Sequence, residues 1–583
     1  MSQPKRFGFY SFLIGLFACS CGPQEDGNIA LKIHYTQPAS VTDDIRGEGA
    51  PTQGQPPPYI SDFRLCVTAA DMEKAKCANF NLADYQQSGK AKIGGIPVGH
   101  NRKVTFQGYD FSDRQVYWCG QAEGLSIGKN STTQVNMFIT ACTDFTLTRG
   151  ELETARVFHT ATKLTDGRVL IVGGFNTFST NEICTDGECL RLFATNSIEI
   201  YDPMTGLFEV VPGLALNTPR GMHTATLLPD GKVLVAGGCE QAIWYQTFNN
   251  GPRTLIEVAS QGWGTAGTTG EIIDPASPPV QAISNAMQTS RALHSDLALP
   301  NGDVLLVGGM AIGNISQRSA TRYTNGNFEE MPAVLTVARQ GMLLIPFSES
   351  NGVSALVWGG NSPPLAGAGT FAEILKADGS GLVTNDVPGF VSNQSPRGLP
   401  AFYASGTSIG TDQVLVTGGM FVDLSMSPTL TKPDVLQKYR VIDLQPGAES
   451  MTDPINDTNV MGYFRAFHST TMLAKKLQAE DQAMRVIIAG GLTSTQFPSV
   501  MDFEPQDKAE FFSAWEEEGQ AFGPIQIKGI SVHMNKPRAV HTATPLDDSS
   551  ILFVGGFSTL SDDLIISGTA EIFNPTPRQL RIE

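Results

Sequence analysis

Arg156-Val-Phe-His159-Thr-Ala-Thr-Lys-Leu-Thr-Asp-Gly-Arg-Val-Leu-Ile-Val-Gly173-Gly174 decides the fold, because the chain repeats it. Arg220-Gly-Met-His223-Thr-Ala-Thr-Leu-Leu-Pro-Asp-Gly-Lys-Val-Leu-Val-Ala-Gly237-Gly238 is a near copy, and Arg291 to Gly309 and Arg538 to Gly556 keep the plan. Gly-Gly pairs begin at 173, 237, 308, 359, 418, 490 and 555, so a unit of roughly fifty residues with variable insertions recurs. Asp166-Gly167, Asp230-Gly231, Asn301-Gly302 and Asn351-Gly352 lie between two strand-like runs, a hairpin signal because both turn residues favour positive φ. The second run of each unit, such as Val169 to Val172, is apolar without alternation, which predicts a strand buried on both faces. The glycine pair then permits backbone to approach where a Cβ would clash.

A weaker signature follows each pair: Ser197-Ile-Glu-Ile-Tyr-Asp-Pro203, Glu271-Ile-Ile-Asp-Pro275, Tyr323, Glu373-Ile-Leu375, Val441-Ile-Asp443, Glu510-Phe-Phe512 and Glu571-Ile-Phe-Asn-Pro575. Its alternation and Asp-Pro or Asn-Pro ending predict a third strand and the turn to a fourth. Seven four-stranded blades set radially protect their edges, so the expected fold is all-β, a closed seven-bladed propeller. On this repeated wording the chain resembles the kelch-repeat family, with its bacterial and galactose-oxidase-like members. The resemblance spans about 430 of 583 residues, and two copies depart from it, with Met342 and Pro400 at the histidine position, which leaves six or eight blades open.

Length and composition fit one propeller plus one smaller module: 583 residues, 41% hydrophobic, 60 Gly and 35 Pro, without long helical periodicity. Lys5 and Arg6 precede an apolar run from Phe7 to Ala18, which predicts a signal peptide over 1–18 and is too short to span a bilayer. Leu16-Phe17-Ala18-Cys19 is similar to a bacterial lipobox. That likeness implies lipidation of Cys19, with Cys21 as the competing site, a tether over 19–27, and an outer-membrane lipoprotein facing the periplasm or the surface. The formal charge of −17 becomes −19 without the two leader cations, a field that suits neither nucleic acid nor anionic lipid.

Export permits disulfides. Cys184 and Cys189 flank a four-residue turn and are the favoured pair, while Cys66, Cys77, Cys119 and Cys142 allow three pairings that the sequence does not separate. Cys239 is left over, and no Cys-x-x-Cys or histidine cluster predicts a metal or other cofactor. Residues 28–147 read as a small immunoglobulin-like β-sandwich with strands at Ile29 to Tyr35, Ile60 to Thr68, Lys103 to Tyr109, Gln115 to Cys119 and Thr132 to Thr140. Gln37 to Pro58 is a proline-rich excursion. The segment from Thr143 to Leu152 joins this module to the propeller over 148–583 and is placed to add a ring-closing strand.

His159, His223, His294, His468 and His541 hold one position of the repeat, so each is expected to satisfy the same buried hydrogen bond rather than build one catalytic constellation. Arg156, Arg220, Arg291, Arg339, Arg397, Arg465 and Arg538 are expected to pair with Glu199, Glu271, Glu373, Glu510 and Glu571 inside the blades rather than to form a basic ring around the channel. A copper-radical oxidase of the galactose oxidase type needs a Tyr-His dipeptide, which this chain lacks. The insertions at Phe175 to Thr195, Cys239 to Gly270, Met420 to Lys438 and Leu492 to Lys508 emerge on one face. Trp244, Tyr245, Phe248 and Trp263 in the second suit either ligand stacking or packing of the loop. The functional expectation is an envelope protein whose propeller binds a protein or glycan. The alternative is a carbohydrate-active enzyme that uses the central funnel.

Overall fold

The computed structural model describes residues 26–35, 60–110, 116–180, 189–245, 256–258, 262–349, 352–360, 372–378, 381–386, 403–409, 413–422, 433–435, 439–444, 450–452, 461–473, 486–494, 503–513, 523–525, 533–559 and 565–576. The fold is all-β, with one short α-helix, Leu82–Ser88, and a single 3-10 turn, Ala266–Thr268, among the described residues. The leader, Cys19, Cys21, the excursion from Gln37 to Pro58, Cys184, Phe248, Arg397 and Pro400 lie outside them.

The N-terminal module contains β1 (Asp26–Tyr35), β2 (Asp62–Thr68), β3 (Lys76–Asn81), β4 (Ala91–Pro97), β5 (Gly99–Tyr109), β6 (Val116–Ile127) and β7 (Thr132–Ala141). They join edge to edge in the order β3-β2-β5-β6-β7-β1-β4, with β1 and β7 parallel. Most of β7 pairs with β1, while Ala141 and Thr140 pair with Trp118 and Cys119 of β6, so this strand links the two halves of the sheet. Alternate residues of β2 (Phe63, Leu65, Val67) turn inward and meet Ile29, Leu31, Val104, Phe106, Val135 and Met137 in one core. The five expected strands are present. The polar edge strand β3, strand β4 and the helix, capped by Asn81, carried no hydrophobic alternation strong enough to predict them.

Two disulfides separate the pairings left open: Cys66–Cys77 staples β2 to β3, and Cys119–Cys142 ties β6 to the exit of the module. Cys189 is also disulfide-bonded, and Cys239 is a free, buried thiol.

Each repeat then builds an antiparallel sheet. In the first, Thr160–Lys163, Val169–Val172, Ile198–Asp202 and Leu207–Glu209 lie side by side. The innermost strands, Thr160–Lys163, Thr224–Leu227, Ser295–Ala298, Leu343–Glu349, Ser405–Ser408, Ser469–Met472 and Thr542–Pro545, stand next to one another in chain order, and the last stands beside the first. The arrangement is a β-propeller. Second strands such as Val169–Val172, Val233–Ala236 and Ile551–Val554 are buried throughout, as their uninterrupted apolar sequences require.

The last sheet is completed from the other end of the molecule. Strand β8 (Asp144–Leu147) pairs with Ala570–Asn574, register Phe145 to Phe573, so the segment after the N-terminal module closes the ring. Strands alternate direction, so loops before each first strand and after each second strand share one face, the insertion face. The Asp-Gly hairpins and third-to-fourth turns share the other. The N-terminal module packs on this second, turn face: Phe138 lies beneath Gly206, Arg149 donates to Thr205 O at 2.9 Å, and Asn574 Nδ2 donates to Thr140 Oγ1 at 2.8 Å.

Candidate functional site: the insertion face and the propeller axis

Two residues after the arginine in six of the repeats, and at Tyr403 in the fifth, the chain reaches the axis. Phe158, Met222, Leu293, Gly341, Tyr403, Phe467 and Val540 stand there, all with φ between 51° and 59°. Positive φ is costly for branched and aromatic residues. Here it turns each N–H onto the preceding repeat: Met222 donates to Phe158 O at 3.1 Å, Leu293 to Met222 O at 3.1 Å, Gly341 to Leu293 O at 2.9 Å, Phe467 to Tyr403 O at 3.1 Å and Val540 to Phe467 O at 3.0 Å. The result is a belt of backbone hydrogen bonds from which apolar side chains project and fill the axis.

Above this plug, insertions of the first two repeats form a sheet of their own, with strands Phe175–Ser179, Cys189–Ala194, Gln241–Tyr245 and Ile256–Val258 side by side. Trp244 is only 1% exposed, and its ring lies 5.9 Å from Phe158, 5.5 Å from Phe467 and 5.0 Å from Phe557 by centroid. Tyr403 stacks on Phe467 at 4.1 Å. Of the two roles open to Trp244 and Trp263, ligand stacking or packing of the loop, their burial favours packing. Both indoles are buried in the apolar cluster, where burial of so large a ring is worth several kcal/mol, and neither faces solvent. Tyr245 ends a strand of this sheet, and Phe248 falls outside the described residues.

Below the plug, the repeat histidines bridge neighbouring sheets. Nε2 of His159, His223, His294, His468 and His541 lies 2.8–3.0 Å from the hydroxyls of Thr542, Thr160, Thr224, Thr417 and Ser469 in the preceding repeat. The expected shared role holds, as a bond between sheets rather than within one. Burial, reinforced by the nearby arginine, pushes the imidazole pKa values down, to about 3 in His294 and His541. The glycine pair makes room for this arrangement. A Cβ on Gly173 would sit 2.5 Å from Arg220 O and 2.9 Å from the His223 ring, and one on Gly174 would sit 2.6 Å from Val157 O. The departures are also visible: Met342 holds the histidine place in the fourth repeat, and Tyr403 at the axis puts Ala404 rather than Pro400 there in the fifth.

The expected ion pairs are formed. Arg156–Glu199, Arg220–Glu271, Arg339–Glu373, Arg465–Glu510 and Arg538–Glu571 close at 2.5–2.8 Å, almost wholly buried. Each arginine also donates through Nη1 to the first glycine carbonyl of its pair, as Arg156 does to Gly173 O at 2.9 Å. The carboxylates accept N–H groups of the incoming loop, such as Glu153 and Thr154 on Glu199. Removing one partner of such a pair strands a buried charge, typically at 3–5 kcal/mol. The arginines therefore pin the blades and are not offered to the channel.

Phe178, Ile312, Ile315, Phe464 and Ile565 are large apolar residues exposed on the insertion face, between 38% and 63% accessible. Sequence reasoning missed all five, since isolated apolar residues in loops carry no pattern. No group of three or more metal-ligating side chains occurs among the described residues.

No family model matches the chain, and no curated protein matches it. Among solved structures, a fungal alcohol oxidase of the AA5 family, in complex with copper, is similar at 15% identity and TM-score 0.46, over 73% of this chain and 77% of that one. A protein named YjhT is similar at 10% identity and TM-score 0.40, over 64% of this chain and 99% of that one.

Proposed function

We propose that the chain is an exported, lipid-anchored cell-envelope protein, with a seven-bladed kelch-type propeller and an immunoglobulin-like N-terminal sandwich, whose insertion face binds a protein or glycan partner. The observation that carries this reading is the distribution of exposed apolar side chains. Five of the eight exposed large apolar residues among the described ones, Phe178, Ile312, Ile315, Phe464 and Ile565, stand on loops and short strands of one face, opposite the face on which the N-terminal module packs. Exposed apolar groups cost free energy in water and are commonly retained where a partner covers them. The apolar plug beneath Trp244 weighs against a reaction in the central funnel, because its ionisable side chains, Cys239 and Tyr403, are buried among apolar groups that hold them protonated.

A soluble form beginning near Gln24 should capture a selective ligand from arrays of glycans and envelope proteins. Combined Ile312→Ser and Ile315→Ser substitution should weaken that capture at least about tenfold, as loss of two buried aliphatic contacts implies, with thermal unfolding unchanged. Capture by the doubly substituted protein at full strength would remove the insertion face from the account.

A further inference from the structure

One position of the repeat breaks the charge pattern. The third-strand residue opposite the penultimate residue of the second strand is Glu199, Glu271, Glu373, Glu510 or Glu571 in five repeats, each on its own arginine. In the third repeat Thr321 stands there, and Glu330 of the neighbouring strand reaches Arg291 at 2.9 Å instead. In the fifth repeat the same place, opposite Val416, is held by Arg440. A cation occupies the slot built for a carboxylate.

Arg440 has no acidic partner among the described residues. Its guanidinium lies 5.6 Å from the ring centroid of Trp358, which ends the second strand of the fourth repeat. Burial alone lowers its pKa, whereas in Arg156, Arg220, Arg291 and Arg465 a glutamate opposes that effect. A partly buried guanidinium without a counter-ion is unfavourable, so a fold that retains one is prepared for an anion. Arg440 also keeps some exposure, unlike the fully buried paired arginines. The planar donor fork matches a carboxylate in bidentate geometry, and the indole face restricts the approach to one side.

We propose that Arg440 and Trp358 form a binding site for a carboxylate-bearing small molecule, whose anionic group pairs with the cation that stands at the glutamate position of the other repeats. This inference stands on the slot alone, apart from capture at the insertion face.

The test uses the full chain with sodium acetate and sodium glucuronate as probes, against chloride and phosphate at equal ionic strength, read by thermal shift and titration calorimetry. Both carboxylates should raise the unfolding temperature saturably. The effect should vanish in Arg440→Met and weaken about tenfold in Arg440→Lys, which keeps the charge but loses the fork. Arg440→Met should by itself melt no lower than the parent, since an unpaired charge has been removed. An equal response in Arg440→Met, no difference between carboxylate and chloride, or tighter binding of phosphate would each overturn the assignment.

Discussion

Five histidines, each hydrogen-bonded through Nε2 to a hydroxyl of the preceding sheet, remain neutral because burial penalises their charged form. Their folded pKa values lie below the ordinary 6.5, reaching about 3 in His294 and His541. The unfolded chain therefore binds more protons than the folded one between those limits. Stability from this source is complete above pH 6.5 and is lost as pH falls towards the folded values, by about 1.4 kcal/mol per histidine per pH unit. Urea unfolding between pH 7 and pH 5 should show this slope, and His223→Gln should reduce it by one proton. A slope unchanged by that substitution would mean that His223 is charged in the folded protein. The histidines and arginines were legible in the sequence as repeated, hence structural, positions. Their partners were only half legible: the glutamates lie in the same repeat and could be named, whereas the hydroxyls lie one repeat away. Arg440 was passed over because it sits in a copy whose arginine and histidine positions are both degenerate.

The hairpins and the third-strand signature could be read element by element, since turn chemistry and burial are local properties. The sheet above the axis could not. It joins strands of two insertions from different repeats, Cys189–Ala194 to Gln241–Tyr245, and nothing in either insertion names the other. Trp244 fastens this sheet to the axis through Phe158, Phe467 and Phe557. Trp244→Ala should cost about 3–5 kcal/mol, the range for a large buried aromatic. It should also raise hydrogen exchange in Cys189–Ala194 and Gln241–Tyr245 before the rest of the propeller opens. Exchange that rises uniformly across all repeats would instead show that the sheet and the propeller unfold as one unit. The packing of Trp244 reaches beyond its own repeat, because its contacts span the first, sixth and seventh repeats.

For the whole molecule, the decisive contact is β8 on Ala570–Asn574, helped by Thr143 N–H on Asn574 O at 2.7 Å and by the Cys119–Cys142 disulfide immediately before it. The sequence foretold the strand but not its coupling to a disulfide, since pairing among four cysteines is a property of the folded module. A chain that begins at Glu151 lacks both, leaves the edge of Ala570–Asn574 unpaired, and should melt at least about 10 °C lower and aggregate on heating, as an exposed edge and an unclosed ring imply. Unfolding at the parent temperature would show that the ring needs no clasp.

That clasp also sets the order in which the protein can be finished. Strand β8 emerges from the ribosome more than 400 residues before the strand it must meet, as the separation of Thr148 from Ala570 records. A nascent chain truncated anywhere before residue 570 carries an incomplete last sheet with no partner for strand β8. Closure therefore certifies that the last repeat has been made, and products terminated before it are left with a raw edge that quality-control proteases can recognise.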